Sequence, residues 1–185
     1  MHTTIKIACL LVLASFTLMA QGQSASSAGG HAVPFTLTSS AFASGATMPD
    51  PYTCKGEDIS PALEWNNAPA KTASFALVMD DPDAPAGDWV HWVLWDVPAS
   101  KHALAENVAK SEQLEDGSRQ GRNSFNRTGY SGPCPPPGQR HRYFFRLYAL
   151  DSKITIAPGA DRAALEAATK GHVLATAEYV GTFHR

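Results

Sequence analysis

Charge is scarce in this 185-residue chain: only 17% of its residues are Asp, Glu, Lys or Arg, and the formal net charge is −2. Without a cationic excess there is no broad electrostatic footprint for nucleic acid or an anionic membrane, so any anion site must be a local arrangement of side chains. Cysteine is nearly absent, with three in all. Heptads, internal repeats and an interdomain linker are missing, as are a His-Glu-x-x-His helix and a Gly-x-Ser-x-Gly elbow, two patterns that would announce a metallohydrolase or a serine hydrolase. Disorder is excluded from the other side, because 44% of the residues are hydrophobic. The length suits one domain with a sizeable core and is short for two.

Long apolar runs are confined to the beginning. Met1 to Lys6 is short and weakly basic, Ile7 to Ala20 is almost entirely apolar, and a Gln-, Ser-, Ala- and Gly-rich stretch follows to Gly30. The run is too short for a membrane anchor and carries the flanks of a secretory signal. The reading is a signal peptide over 1–22, a flexible segment over 23–32 and a single domain over 33–185, periplasmic or secreted from a bacterium and with no membrane segment in the mature chain. Removing the leader removes Cys9 and leaves Cys54 and Cys134, an even count that fits one disulfide in an oxidising compartment. Two buried free thiols remain the alternative.

The rest reads as short strands punctuated by 13 prolines and 14 glycines. Phe75–Met79 is a compact apolar run. Trp89–Val97 is aromatic and β-branched and is stopped by Pro98, while Arg142–Leu150 and Ala177–Phe183 supply two further strands. Phe35–Leu37 and Ala62–Trp65 are weaker. Asp161 can cap a helix over Arg162–Lys170 that ends at Gly171, and a short helical turn is expected within Ala103–Leu114. The fold class is mainly β: an antiparallel sandwich with one or two short helices.

Strand alternation places His91 on one face with Trp89, Val93 and Trp95, and His141 and Tyr143 two apart at the start of their strand. Asp81 and Asp83 sit in a proline-stiffened turn, and Gly132-Pro-Cys-Pro-Pro-Pro-Gly138 is another rigid segment. Polar groups on such supports form a preorganised site. Trp89 and Pro133 flank the two turns and join the ligand-binding set. Asp83 either caps its turn or lines the pocket.

Asp-Pro-Asp-Ala-Pro, Trp-Val-His-Trp, the proline-rich segment and His141-Arg-Tyr143, in that order, resemble the phosphatidylethanolamine-binding protein family, in particular its bacterial Raf-kinase-inhibitor-like (YbhB/YbcL-type) branch. Tyr52-Thr-Cys-Lys-Gly and Ser60-Pro-Ala-Leu-Glu-Trp65 extend the resemblance. It implies a two-sheet sandwich with a small anion pocket built from Asp81, His91, His141 and Tyr143, accepting phosphate, phosphoethanolamine or a carboxylate and needing no cofactor. The chain departs from the mammalian branch: one histidine stands where Trp-His-His has two, and no helix follows the last strand. Lipid binding and kinase regulation are therefore not carried over.

Residue chemistry agrees with an anion site, since imidazole and a tyrosine hydroxyl donate hydrogen bonds and histidine gains charge below pH ~6.5. Affinity is accordingly expected to rise as pH falls. Asp81 would orient a histidine or accept from an amine. The function expected is non-catalytic binding. The alternatives are an inhibitor acting on a protein target, a protease or kinase-type enzyme, and a metal-dependent hydrolase with zinc on Asp81, His91 and His141.

Overall fold

The structure is a computed structural model that describes Met1 and residues 33–185. The signal peptide, the flexible segment and Cys9 lie outside the described residues. Those from Val33 onward form one compact unit. In chain order the strands are β1 (Thr36–Thr38), β2 (Leu63–Asn66), β3 (Ser74–Asp81), β4 (Trp89–Pro98), β5 (Ala103–Leu104), β6 (Arg119–Gln120), β7 (Arg140–Leu150) and β8 (Val173–His184), with helix α1 (Arg162–Thr169) between the last two.

Two antiparallel sheets result, one ordered β1-β2-β5 and the other β6-β4-β3-β7-β8. The central strand β3 is buried at all eight positions, which is why its sequence is a continuous apolar run and not an alternating one. On its inner face Phe75, Leu77 and Met79 join Trp92, Leu94, Phe145 and Leu147 against Leu37, Leu63 and Trp65 of the small sheet. On its outer face Ala76 and Val78 join Val93, Trp95 and Leu165 of α1. Each large side chain buried this completely contributes about 1.5–3 kcal/mol. In β7 the alternation is regular, with His141, Tyr143, Phe145, Leu147 and Ala149 buried and the residues between them more exposed.

The helix begins where the sequence predicts, the Asp161 carboxylate accepting the Ala164 N–H at 3.0 Å. Beyond its end, Gly171 takes φ 85°, a conformation that favours glycine. An ion-pair cluster ties the helix to the outer face of the large sheet. Asp80, buried, accepts from Arg146 Nε at 2.9 Å, and Arg162 of α1 lies 3.8 Å from its other oxygen. Burial pushes the Asp80 carboxyl up, and the Arg146 guanidinium works against that rise.

Two expectations require correction. Ala103–Leu114 holds no helical turn. Its first two residues form β5 on β2, and Leu104 is buried between the sheets. The backbone that follows donates outward, Asn107 N–H to the Ser60 carbonyl and Val108 N–H to the Ser60 hydroxyl, both at 2.9 Å, where a helix would donate to residues four earlier. Nor does His91 share a face with Val93 and Trp95. Met79 pairs with Trp92 but Asp80 pairs with Val90, so His91 is an extra residue in β4. This bulge reverses the alternation: Val93 and Trp95 pack beneath the helix, whereas His91 stays with the inner face, its ring edge-on to Tyr143.

Candidate functional site

The site lies at one end of the inner face, where β3 finishes and β4 and β7 begin. Asp81 closes β3 and uses both oxygens. One accepts the Asp83 N–H at 2.9 Å and so starts the Pro82–Asp83 turn, while the other accepts from His141 Nδ1 at 2.8 Å. Both partners of the second contact are nearly inaccessible, with His141 1% and Asp81 3% exposed. His91, also buried, donates from Nδ1 to the Ser131 carbonyl at 2.6 Å. A carboxylate and a carbonyl can only accept, so both histidines carry a proton on Nδ1 and reserve Nε2 for other work. The Nε2 of His141 and the hydroxyl of Tyr143 are buried and have no hydrogen-bond partner among the described residues. Each such group costs about 1–3 kcal/mol, and at His141 a ligand offsets this by donating to the neutral Nε2 or by accepting from it once the ring is protonated.

A cavity of ≈ 240 Å³ opens over Asp81 and the two histidines. Asp81, His91 and His141 line it together with three walls: Ala84-Pro85-Ala86 and Trp89 on one side, Phe125 on another, and Cys134-Pro135-Pro136 on the third. Each wall is held from behind. Asp83 clamps the first turn to β7, accepting from the Arg142 N–H and Nε at 2.9 Å and from Nη2 at 2.7 Å, and these contacts hold its carboxyl down at about 2. Phe125 stands edge-on to Trp89 and His91 at 5.4 and 5.3 Å, on a loop fastened by the buried Asn123. That amide donates to the Gly129 carbonyl at 2.9 Å and accepts the Phe125 N–H at 3.0 Å.

The proline wall is anchored at Gly132 and Cys134. Gly132 N–H donates to Asp58 Oδ1 at 2.6 Å, and a Cβ added there would stand 2.3 Å from the Tyr52 carbonyl oxygen. The sulfurs of Cys54 and Cys134 are 2.16 Å apart, with Cα atoms 5.4 Å apart, a separation suited to a disulfide.

The geometry thus brings Asp81, His91, His141 and Trp89 to one cavity, with Tyr143 behind His91. It does not bring Asp83 or Pro133 there. The Asp83 carboxylate turns outward to Arg142, and the Pro133 carbonyl accepts the Cys54 N–H at 3.1 Å, leaving Pro135 and Pro136 to face the cavity. The sequence reading missed Phe125. An aromatic residue within a run of turn-forming polar residues has no reason to be there unless it packs on something, and that was the available signal.

Burial and the nearby Asp81 charge push the Tyr143 phenol well up, so it stays protonated and can donate. Burial pulls His91 below its usual 6.5, despite the Ser131 carbonyl and the Asp81 charge working the other way.

Residues 38–184 match the family model described as phosphatidylethanolamine-binding protein. The chain belongs to this family. Among its relatives, a UPF0098 protein of Methanothermobacter thermautotrophicus is 47% identical over 149 residues, covering 80% of this chain and 98% of the relative. A UPF0098 protein of Aquifex aeolicus is 44% identical over 161 residues, covering 86% and 92%. Two crystal structures superpose on the fold. YbcL of Escherichia coli, described as a member of the mammalian PEBP family, gives a TM-score of 0.77 at 31% identity, covering 83% of this chain and 99% of that one. The PEBP homologue CT736 of Chlamydia trachomatis gives 0.75 at 36% identity, covering 82% and 98%. The family and the mainly β, two-sheet fold expected from the motifs are borne out. In this PEBP-family chain, the four motifs that carried the resemblance map to the end of β3, the start of β4, the proline wall and the start of β7.

Proposed function

We propose that this PEBP-family protein is an exported, non-catalytic binder whose cavity takes a small anionic group, a phosphate or a carboxylate. The observation that carries this reading is His141, held by Asp81 through Nδ1 and presenting a buried Nε2 that no group among the described residues satisfies, in a residue that lines the cavity. When protonated, that Nε2 donates to an anion while the Asp81 carboxylate accepts from the other ring nitrogen. Asp81 is thereby assigned the orienting role, and its negative charge is answered within the pair.

The hydrolase alternative finds less support. Asp81 and both Nδ1 atoms are engaged with acceptor or donor partners inside the protein, and among the described residues no serine, threonine or free thiol sits against a histidine in the cavity lining. No observation favours a protein target. Export rests on the basic, apolar and small-residue order of residues 1–22.

Calorimetric titration of the protein with inorganic phosphate and with phosphoethanolamine tests the reading. One saturable site per chain is expected, and no saturable heat from either compound would refute it. The stability of the protein should also depend on pH through His91. His91 is held neutral by burial, so the unfolded chain takes up a proton near pH ~6.5 and the folded chain only further down. The stability contributed by neutral His91 is present above ~6.5 and is lost as pH falls through that window toward its folded pKa. Thermal melts should therefore show a lower Tm at about pH 5 than at about pH 7, with a smaller drop in His91→Gln. An equal drop in both proteins would contradict this.

A further inference from the structure

We propose that the cavity selects an anion bearing an aromatic body, an aryl or aralkyl carboxylate or phosphate, over the bare anion; the proposal rests on the anion-site reading above. Three observations point there.

The first is charge. The His141 that would donate to the anion is protonated and already paired with Asp81, and among the described residues no lysine or arginine lines the cavity. A small, strongly hydrated anion loses its water on entering and meets little positive charge in return, which is costly.

The second is surface. The tryptophans elsewhere in β4, Trp92 and Trp95, are 0% and 1% exposed, whereas Trp89 and Phe125 are only partly buried and both face the cavity. They meet edge to face at an interplanar angle of 79°, and with Pro85 and Pro135 they form a stiff apolar lining. Aromatic rings left open at one place on the protein are the platform for another ring.

The third is size. An apolar cavity of about 150 Å³ already admits a benzene ring, and the ≈ 240 Å³ here leaves room for a charged group beyond the ring. Such a ligand would seat its anion at His141 and its ring against the cavity-facing surface that Trp89 and Phe125 form together.

Calorimetry on the wild-type protein with two matched pairs tests this: acetate against phenylacetate, and inorganic phosphate against phenyl phosphate. In each pair the phenyl compound is expected to bind at least about tenfold more tightly, as burial of one ring face and edge would give. In Phe125→Ala the advantage should shrink to less than about threefold, since half of the aromatic platform is gone. Saturable binding with equal affinity within each pair would overturn the aromatic preference while leaving the anion site standing, and so would a full advantage retained in Phe125→Ala. The absence of saturable binding by all four compounds would overturn both. The wild-type comparison decides the matter even if the variant fails to fold.

Discussion

Urea unfolding of a Cys54→Ser/Cys134→Ser variant is expected to give a free energy about 4–5 kcal/mol below that of the oxidised wild type. The figure follows from the 80-residue separation of the two cysteines, since a cross-link that closes so long a loop removes much of the conformational freedom of the unfolded chain. The loss should also be local in character. Cys134 is itself part of the cavity wall, and the bond fastens that wall to the segment that follows Tyr52. Amide exchange in the variant should therefore rise first around Gly132–Gly138, before it rises in β3 and β7, whose ladders do not depend on the bond. Mass measurement with and without reductant checks the bond: alkylation of Cys54 and Cys134 only after reduction is the expected result, and alkylation of both without reductant would count against it.

Gly132→Ala is the second change with a large expected effect. The methyl group would need to occupy space 2.3 Å from the Tyr52 carbonyl oxygen and 2.9 Å from the Thr53 Cα, both backbone atoms. A flexible side chain could yield, but here two backbone segments must part. Parting them also stretches the 2.6 Å hydrogen bond from Gly132 to Asp58 and the 2.6 Å bond from the Tyr130 hydroxyl to the Tyr52 carbonyl. Overpacking of this kind costs about 1–3 kcal/mol, and losing a buried hydrogen bond adds about 1 kcal/mol. A fall of about 2–4 kcal/mol in unfolding free energy is expected, measured by urea titration. A variant within about 0.5 kcal/mol of wild type would show that the approach of the two segments is not a constraint.

What could be read from the sequence depended on whether a residue's role was local. The strands β3, β4 and β7 announce themselves through runs that only a half- or fully buried strand needs, and the helix through its Asp161 cap and the glycine beyond its end. His141 and Tyr143 keep the two-residue spacing of an undistorted strand, so their common face was legible. His91 was not, because the bulge that turns Val93 and Trp95 toward the helix is set by the pairing of β4 with β3 and leaves no mark in β4 alone. Asp80 and Asp81 make the same point. They are adjacent, identical and both buried, yet one meets Arg146 on the outer face and the other His141 on the inner face. Asp83 could have capped its turn or faced the cavity, and the choice was made by Arg142, 59 residues away. Ala103–Leu114 has helix-forming residues, but burial of Leu104 and the hydrogen bonds to Ser60 outweigh a propensity of a few tenths of a kcal/mol per residue.

The central claim is that His141, oriented by Asp81, is the donor around which the anion site is built. Titration of inorganic phosphate into wild type and His141→Ala, side by side at one pH and with circular dichroism to establish that both are folded, tests it most directly. At least a tenfold loss of affinity is expected in the variant, as removal of a charge-assisted hydrogen bond would give. Equal affinity in two folded proteins would contradict the account and would place the anion elsewhere.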